Sequence, residues 1–252
     1  MKRIAFIVLL MMGMFAGAIA QTAQENENKT DAKGLKQGAW KEEAGQVVSK
    51  GTYVDGKKTG TWLSYHQAGF LKRIEHYKNG ALEGVAVDID ERGYLSAEEW
   101  YKTDKPDGLF RKFTYGGRPL SEMTFINGIK EGSCKIYYEN TGKLQEESFY
   151  KNGKKDGGAK WYSSDGKPVV EYNYKNGELD GAQLTFYTNG NKQTEENYAN
   201  GVQIGPFNEY YESGKIQTVG QFVNGQKDGK WIAYDEDGKA TKTTTFKNGV
   251  EK

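Results

Sequence analysis

The chain of 252 residues holds one cysteine, two histidines and four prolines. Each scarcity excludes something. A lone Cys134 closes no intramolecular disulfide, so no disulfide framework holds the fold. It reads as a small buried hydrophobe, with an intermolecular bond as the alternative. His66 and His76 lack the partners that a His-based metal site or a catalytic triad needs. They read as ordinary strand positions. Charge of one sign is also lacking: 35 Lys and Arg stand against 34 Asp and Glu. No basic field exists to hold a nucleic-acid backbone, and nothing in the charge indicates a membrane surface. Leu, Ile, Val and Phe number 12, 11, 12 and 11, together 46 of 252 residues, too few for a large aliphatic core. Yet 33 glycines and 33 aromatic residues are far too many for a disordered chain.

Long apolar runs are confined to the start. "MKR" is a positive n-region, "IAFIVLLMMGMF" at 4–15 is short for a bilayer span, and "AIA" at 18–20 is a small-x-small cleavage signal. The reading is a signal peptide over 1–20, cleaved before Gln21, with an uncleaved anchor as the alternative. No Cys follows the cleavage site, which closes the lipoprotein route. Residues 21–34 are polar and unpatterned and read as a flexible leader. Removing Lys2 and Arg3 takes the basic count from 35 to 33 against 34 acids, so the mature chain is near −1.

What is abundant is one phrase. "YKNGELDG" at 174–181 returns as "YKNGALEG" at 77–84, "YKNGKKDG" at 150–157 and "FVNGQKDG" at 222–229. The last glycine of each phrase falls at Gly38, Gly60, Gly84, Gly108, Gly132, Gly157, Gly181, Gly205 and Gly229, with spacings of 22 to 25 residues. Nine units of about 24 residues fill 35–252 as one repeat domain. A second glycine stands about nine residues after the first. Each unit is therefore two short runs rich in Tyr, Phe, Trp, Val and Thr, punctuated by glycine at both ends. That pattern predicts a β-hairpin per repeat, with Asn-Gly as the tight turn and the final Gly restarting the next strand. "TDKPDG" departs from it, with Asp104 in the place of the turn glycine, and Asp tolerates a left-handed backbone. Pro106, Pro119, Pro168 and Pro206 are expected at turns or strand starts.

The aromatics keep the same register. Eight residues after the second glycine stand Tyr53, Tyr77, Tyr101, Phe125, Tyr150, Tyr174, Tyr198, Phe222 and Phe246. Two after the first glycine stand Trp40, Trp62, Phe110, Phe207 and Trp231, with Ala86, Cys134, Ala159 and Gln183 elsewhere. Columns of rings are expected in place of an aliphatic centre, with Tyr150, Tyr174 and Tyr198 as successive rungs of one file. Five after the first glycine comes another ring, such as Tyr65. Offsets of two and five place Trp62 and Tyr65 on opposite faces under strict alternation. Either a bulge separates them or both faces are partly covered.

Carboxylates recur at repeat spacing, whereas an active site is needed once. Glu98, Glu122, Glu147, Glu171 and Glu195 form one column. Glu83, Asp107, Glu131, Asp156, Asp180 and Asp228 form another, just before the first glycine. They read as a solvated face paired with nearby Lys and as turn caps. The sharper alternative is that the first column is a docking stripe for a cationic partner. No phosphate loop, catalytic residue, cofactor site or metal site is expected.

At "G-x-W-x-x-Y…G…Y-x-N-G-x-x-x-G" the pattern resembles MORN repeats, and specifically the MORN-repeat variant of bacterial proteins, many of them antitoxin-type. "GTWLSYHQAGFLKRIEHYKNG" at 60–80 is a good single copy. The resemblance implies an all-β fold of consecutive hairpins in one elongated, twisted antiparallel sheet. Eighteen strands at about 4.8 Å each would extend roughly 85 Å. It also implies a role in protein interaction, assembly or lipid contact. The expected function is an exported, non-enzymatic scaffold contacting a protein or envelope component. The alternatives are an antitoxin or immunity protein and, last, a surface-glycan hydrolase. N-terminal sequencing of the native protein is expected to read from Gln21; a cytosolic chain beginning at Met1 would refute export.

Overall fold

The computed structural model describes residues 27–252, so the signal-peptide reading at 1–20 lies outside the described residues. Among them there is no helix, and 22 strands belong to one open antiparallel sheet. The count exceeds eighteen for a simple reason. Two strands are each broken in two, Ala81–Leu82 from Gly84–Ile89 and Glu178–Leu179 from Gly181–Phe186, and two-residue strands stand at Lys29–Thr30 and Val250–Glu251. Lys29–Thr30 pairs with Lys36 and Gln37, so the end of the expected leader is ordered backbone.

The described chain divides into two units. The first runs to Tyr94 and includes Tyr101–Asp104, and the second comprises Leu95–Trp100 and Lys105–Lys252. In the first, the strands Lys36–Ala44, Val47–Val54, Lys57–His66 and Leu71–Lys78 pair in chain order. In the second, Lys105–Phe113 pairs with Pro119–Ile126, and the meander continues to Ala240–Lys247.

The Asn-Gly dipeptides make the predicted turns. Asn176 and Gly177 hold φ of 52° and 93°, the mirror-image geometry whose twist matches a hairpin. In the departing repeat, Thr103 and Asp104 adopt the same positive φ, 49° and 63°. Thr103 is β-branched, so it carries strain there that Asn does not.

The last glycine of the phrase behaves differently from expectation. At Gly84 and Gly181 it does restart a strand, but in the other repeats the strand begins after the turn and runs through it, as Lys57–His66 runs through Gly60. Gly60 has φ 65° and Gly132 φ 78°. At this point pairing jumps from Met123↔Cys134 to Phe125↔Lys130, so the strand carrying Gly132 holds two residues more than its partner. The same break lies between Lys50↔Leu63 and Thr52↔Thr59. Glycine is required because the bulge needs a left-handed residue. Pro206 is corrected by this geometry: it lies inside the strand Val202–Tyr210, directly after Gly205, where the ladder to the preceding strand is interrupted.

The ring file also differs in arrangement. Like positions lie on alternate strands, so Gly157, opposite Tyr174, falls between Tyr150 and Tyr174. The contacts run instead between the two aromatic positions. Trp40, Tyr53, Trp62 and Tyr77 pack edge to face in sequence, with centroids 5.5, 5.2 and 6.3 Å apart. Phe207, Phe222, Trp231 and Phe246 repeat this at 5.8, 5.1 and 6.2 Å. Tyr174 is half-buried against Tyr172, with centroids 6.3 Å apart.

The buried column is the position two after the phrase glycine: Trp62, Ala86, Cys134, Ala159, Gln183 and Trp231. At Trp62, Trp231 and Ala159 it alternates in size with a cross-strand neighbour. Where the column holds Trp, the preceding strand has glycine. A Cβ on Gly51 would lie 2.3 Å from the Trp62 ring, and one on Gly220 2.2 Å from that of Trp231. Where the column holds Ala159, the neighbour is Tyr172. Cys134 is the small buried hydrophobe that was expected, its thiol pushed up by burial. Gly220→Ala should therefore destabilise the protein by about 1–3 kcal/mol, since a rigid ring must move. A denaturant midpoint equal to that of the parent would show that Trp231 does not lie across Gly220.

Candidate functional site

Two surfaces of the sheet differ in kind. The ring face is closed on itself. The residue two before the phrase glycine is often Lys, and its ammonium lies over the rings: Lys58 is 3.9 Å from the Trp62 centroid and Lys227 4.0 Å from that of Trp231. Lys36 and Lys155 do the same. Carboxylates complete it. Glu42 accepts from Lys36 and the Tyr53 hydroxyl at 2.8 Å each and pairs with Lys58 at 3.1 Å. Burial pushes the Glu42 carboxyl up, but these donors outweigh it and hold it at about 2. Tyr77 and Tyr198 are pushed up to about 12 by burial and by Glu75 and Glu196. Sequence spacing showed the rings but not these lysines, although Lys36, Lys58, Lys130, Lys155 and Lys227 share one register position.

The opposite face carries the glutamate column, and the structure supplies its other half. Cross-strand register places Arg111 opposite Glu122, Glu122 opposite Lys135, Lys135 opposite Glu147, Glu147 opposite Lys160 and Lys160 opposite Glu171. Acid and base alternate strand by strand. Ion pairs close at 2.6 Å for Glu98–Arg111, 3.4 Å for Glu147–Lys135, 3.1 Å for Glu171–Lys160 and 3.2 Å for Glu195–Lys192. Tyr137 and Tyr210 donate their hydroxyls to Glu122 and Glu195 at 3.3 and 3.1 Å. These tyrosines lie on the face opposite Cys134 and Phe207, so alternation holds between offsets two and five and both faces are covered. All five glutamates thus have partners within the chain.

The second acidic column caps turns, but not its own. Asp107, Glu131, Asp156, Asp180 and Asp228 accept the N–H of Asn127, Asn152, Asn176, Asn200 and Asn248 in the following turn. Glu83 does so for Thr103. The turn glycine adds a second link, as Gly177 N–H to the Lys155 carbonyl at 2.8 Å. Where the carboxylate is present, consecutive turns are therefore joined by two hydrogen bonds, one of them charged.

Beside the charge ladder lies an apolar stripe. Trp100, Leu109, Ile126, Ile129 and Phe149 are each between 37% and 51% exposed. Each stands an even number of residues from a ladder member on its strand or pairs with one that does: Leu109 opposite Thr124, Ile126 opposite Ile129, Phe149 opposite Ser133. The five share the ladder's face. The spacing of glycines concealed them, because at most of these positions the immediately neighbouring repeats carry polar residues, such as Lys102 and Lys151 in the place of Ile126. Among the described residues, no three of His, Cys, Asp and Glu converge as metal ligands would, and no helix is long and apolar enough to cross a membrane.

The pattern of the MORN repeat variant matches residues 58–79, 130–152, 155–176, 179–200, 203–224 and 227–248, just over half of the chain. The protein belongs to the MORN repeat variant family. Its repeats make a scaffold of the kind used for protein or membrane interaction, in a family that is generally non-catalytic. No curated protein sequence matches the chain. Solved structures with some likeness include TcdB2-TccC3 (11% identity, TM-score 0.21, 89% of this chain). Another is the Photorhabdus luminescens Tc holotoxin pore (14%, 0.19, 88%). This chain spans about 15% and 13% of those chains, and at such TM-scores the likeness carries no argument.

The ladder generates one prediction. Lys135→Glu sets three acids side by side between neighbouring strands. It should cost on the order of 1 kcal/mol at low ionic strength and much less in molar salt. An equal loss at both ionic strengths, read from urea denaturation, would mean that Lys135 acts through packing and not charge.

Proposed function

We propose that this MORN-repeat protein is an exported, non-enzymatic scaffold that docks another protein along the face carrying the charge ladder and the apolar stripe. The observation that carries the reading is the stripe itself. Five large apolar side chains on adjacent strands, rimmed by ionic side chains, form the kind of patch that marks an interaction surface. The glutamate column supports a supporting role for itself in this surface and not the primary one, because its carboxylates already have cations. A repeat surface suits contact spread over several units, each adding a modest increment. Export rests on the residues before Gln21.

Affinity capture from the cell-envelope fraction, with the protein beginning at Gln21 as bait, tests this. The parent should retain a partner, and the Ile126→Glu, Ile129→Glu double variant should lose most of it with its folding intact. Equal capture by both would remove the stripe from the interface. A captured toxin would turn the reading toward an antitoxin.

A further inference from the structure

In the first unit the repeat's own chemistry is inverted at one place. In the register where Glu122 and Glu195 accept a tyrosine hydroxyl, the equivalent residue facing Tyr65 is Lys50. Tyr65 pairs with Val48, two residues from Lys50, the same diagonal step that separates Tyr137 from Glu122. Lys50 in turn stands directly opposite Lys41. Like charges facing each other across a ladder are unfavourable, and in the second unit the corresponding row alternates acid with base. Lys41 is held by Glu43 at 2.6 Å. The uncompensated charge is that of Lys50, which is exposed and makes no ion pair among the described residues.

A shallow groove of about 330 Å³ opens at this point, lined by Lys41, Val48, Lys50, Tyr65 and His66, with Gln67 and Gly69 at its end. The Tyr65 hydroxyl has no hydrogen-bond partner among the described residues, and His66 Nε2 is buried without one. The groove therefore gathers an ammonium and a phenol around a space, with an apolar wall of Val48 and the Tyr65 ring. What is missing is an acceptor. Elsewhere in the same protein, a carboxylate fills that role and is flanked by cations from the adjoining strands.

We propose that this groove binds a carboxylate side chain from an acidic segment of a partner protein. The carboxylate accepts from Lys50 Nζ and from the Tyr65 hydroxyl, as Glu122 accepts from Tyr137 within the chain. The occupant carries one negative charge where the groove has one free positive charge, and the rest of its segment lies on Val48 and the Tyr65 ring. This inference rests on the scaffold reading in taking the occupant to be a protein. Its residues belong to the first unit, and none of them is in the apolar stripe.

The test is a polarisation titration of the protein beginning at Gln21 with fluorescein-labelled hexaglutamate at low ionic strength. Lys50→Glu puts the repeat's usual carboxylate in place and should abolish binding by at least tenfold, with folding retained. Lys50→Met, which keeps length and removes charge, is the second variant and should behave alike. Tyr65→Phe should weaken binding several-fold. Lys242→Glu makes the same change in net charge at a distant exposed position and should leave binding unaltered. Equal weakening by Lys242→Glu would show diffuse attraction and overturn the site. Inorganic phosphate competing as strongly as the peptide would make it a free-anion site and overturn the protein occupant. No binding of hexaglutamate would overturn the proposal outright. That failure leaves envelope capture by the stripe unaffected, so the two readings fail separately.

Discussion

The structure depends on a steric pairing of rings with small residues across neighbouring strands. Among the described residues no helix covers the sheet, so a large side chain must be buried by neighbours on its own face. Trp62 and Trp231 reach 1% and 6% exposure by lying across Gly51 and Gly220. The rings then meet edge to face, each contact contributing about 0.5–1.5 kcal/mol beyond its area. Placing glycine opposite a ring costs backbone entropy, about 0.5–1 kcal/mol relative to Ala. Burying a large ring outweighs this, which is why the sequence can be poor in Leu and Ile and still fold.

Charge acts at a second level. A part-exposed ion pair in the ladder contributes roughly 0.2–1 kcal/mol and is weakened by salt. A carboxylate accepting a backbone N–H is a charge-assisted bond, and at an exposed turn water competes for it. The turn links are all exposed, so per bond they fall in the same low range as the ladder pairs. The ladder's larger effect is on register: a slip of one strand residue would bring the opposite face forward and separate every acid from its base.

The repeat, its hairpins and its turns were legible because each rests on local chemistry. Asn-Gly needs positive φ, and the same spacing returns the same ring. Three features were not. The phrase glycine at Gly132 is a bulge inside a strand, and only its partner strand reveals the two extra residues. The interleaving of Tyr53 with Trp62 requires knowing that like positions fall on alternate strands. The cations of the ladder, Arg111, Lys135 and Lys160, stand three residues after the phrase glycine. Their link to glutamates in another run appears only once register is fixed. The apolar stripe was hidden for a related reason: Ile126 and Phe149 occupy positions that are polar in neighbouring repeats, so a consensus reading passes over them.

The carboxylate that reaches into the following turn has a consequence for how such a chain changes length. Asp156 serves the turn at Asn176, while the turn at Asn152 is served by Glu131. Six of the nine repeats give such a carboxylate bond forward; before Gly60 and Gly205 stand Thr59 and Ile204, and there the turn glycine's N–H makes the link alone, Gly80 to the Lys58 carbonyl and Gly225 to that of Gln203. The backbone link recurs at every turn, so a duplication or deletion of a whole 24-residue segment in the gene would leave that donor with an acceptor at the join, wherever within the period the breakpoints fall. Unequal recombination between copies yields proteins that are locally complete at once. Selection is then free to act on the number of repeats before it acts on any side chain.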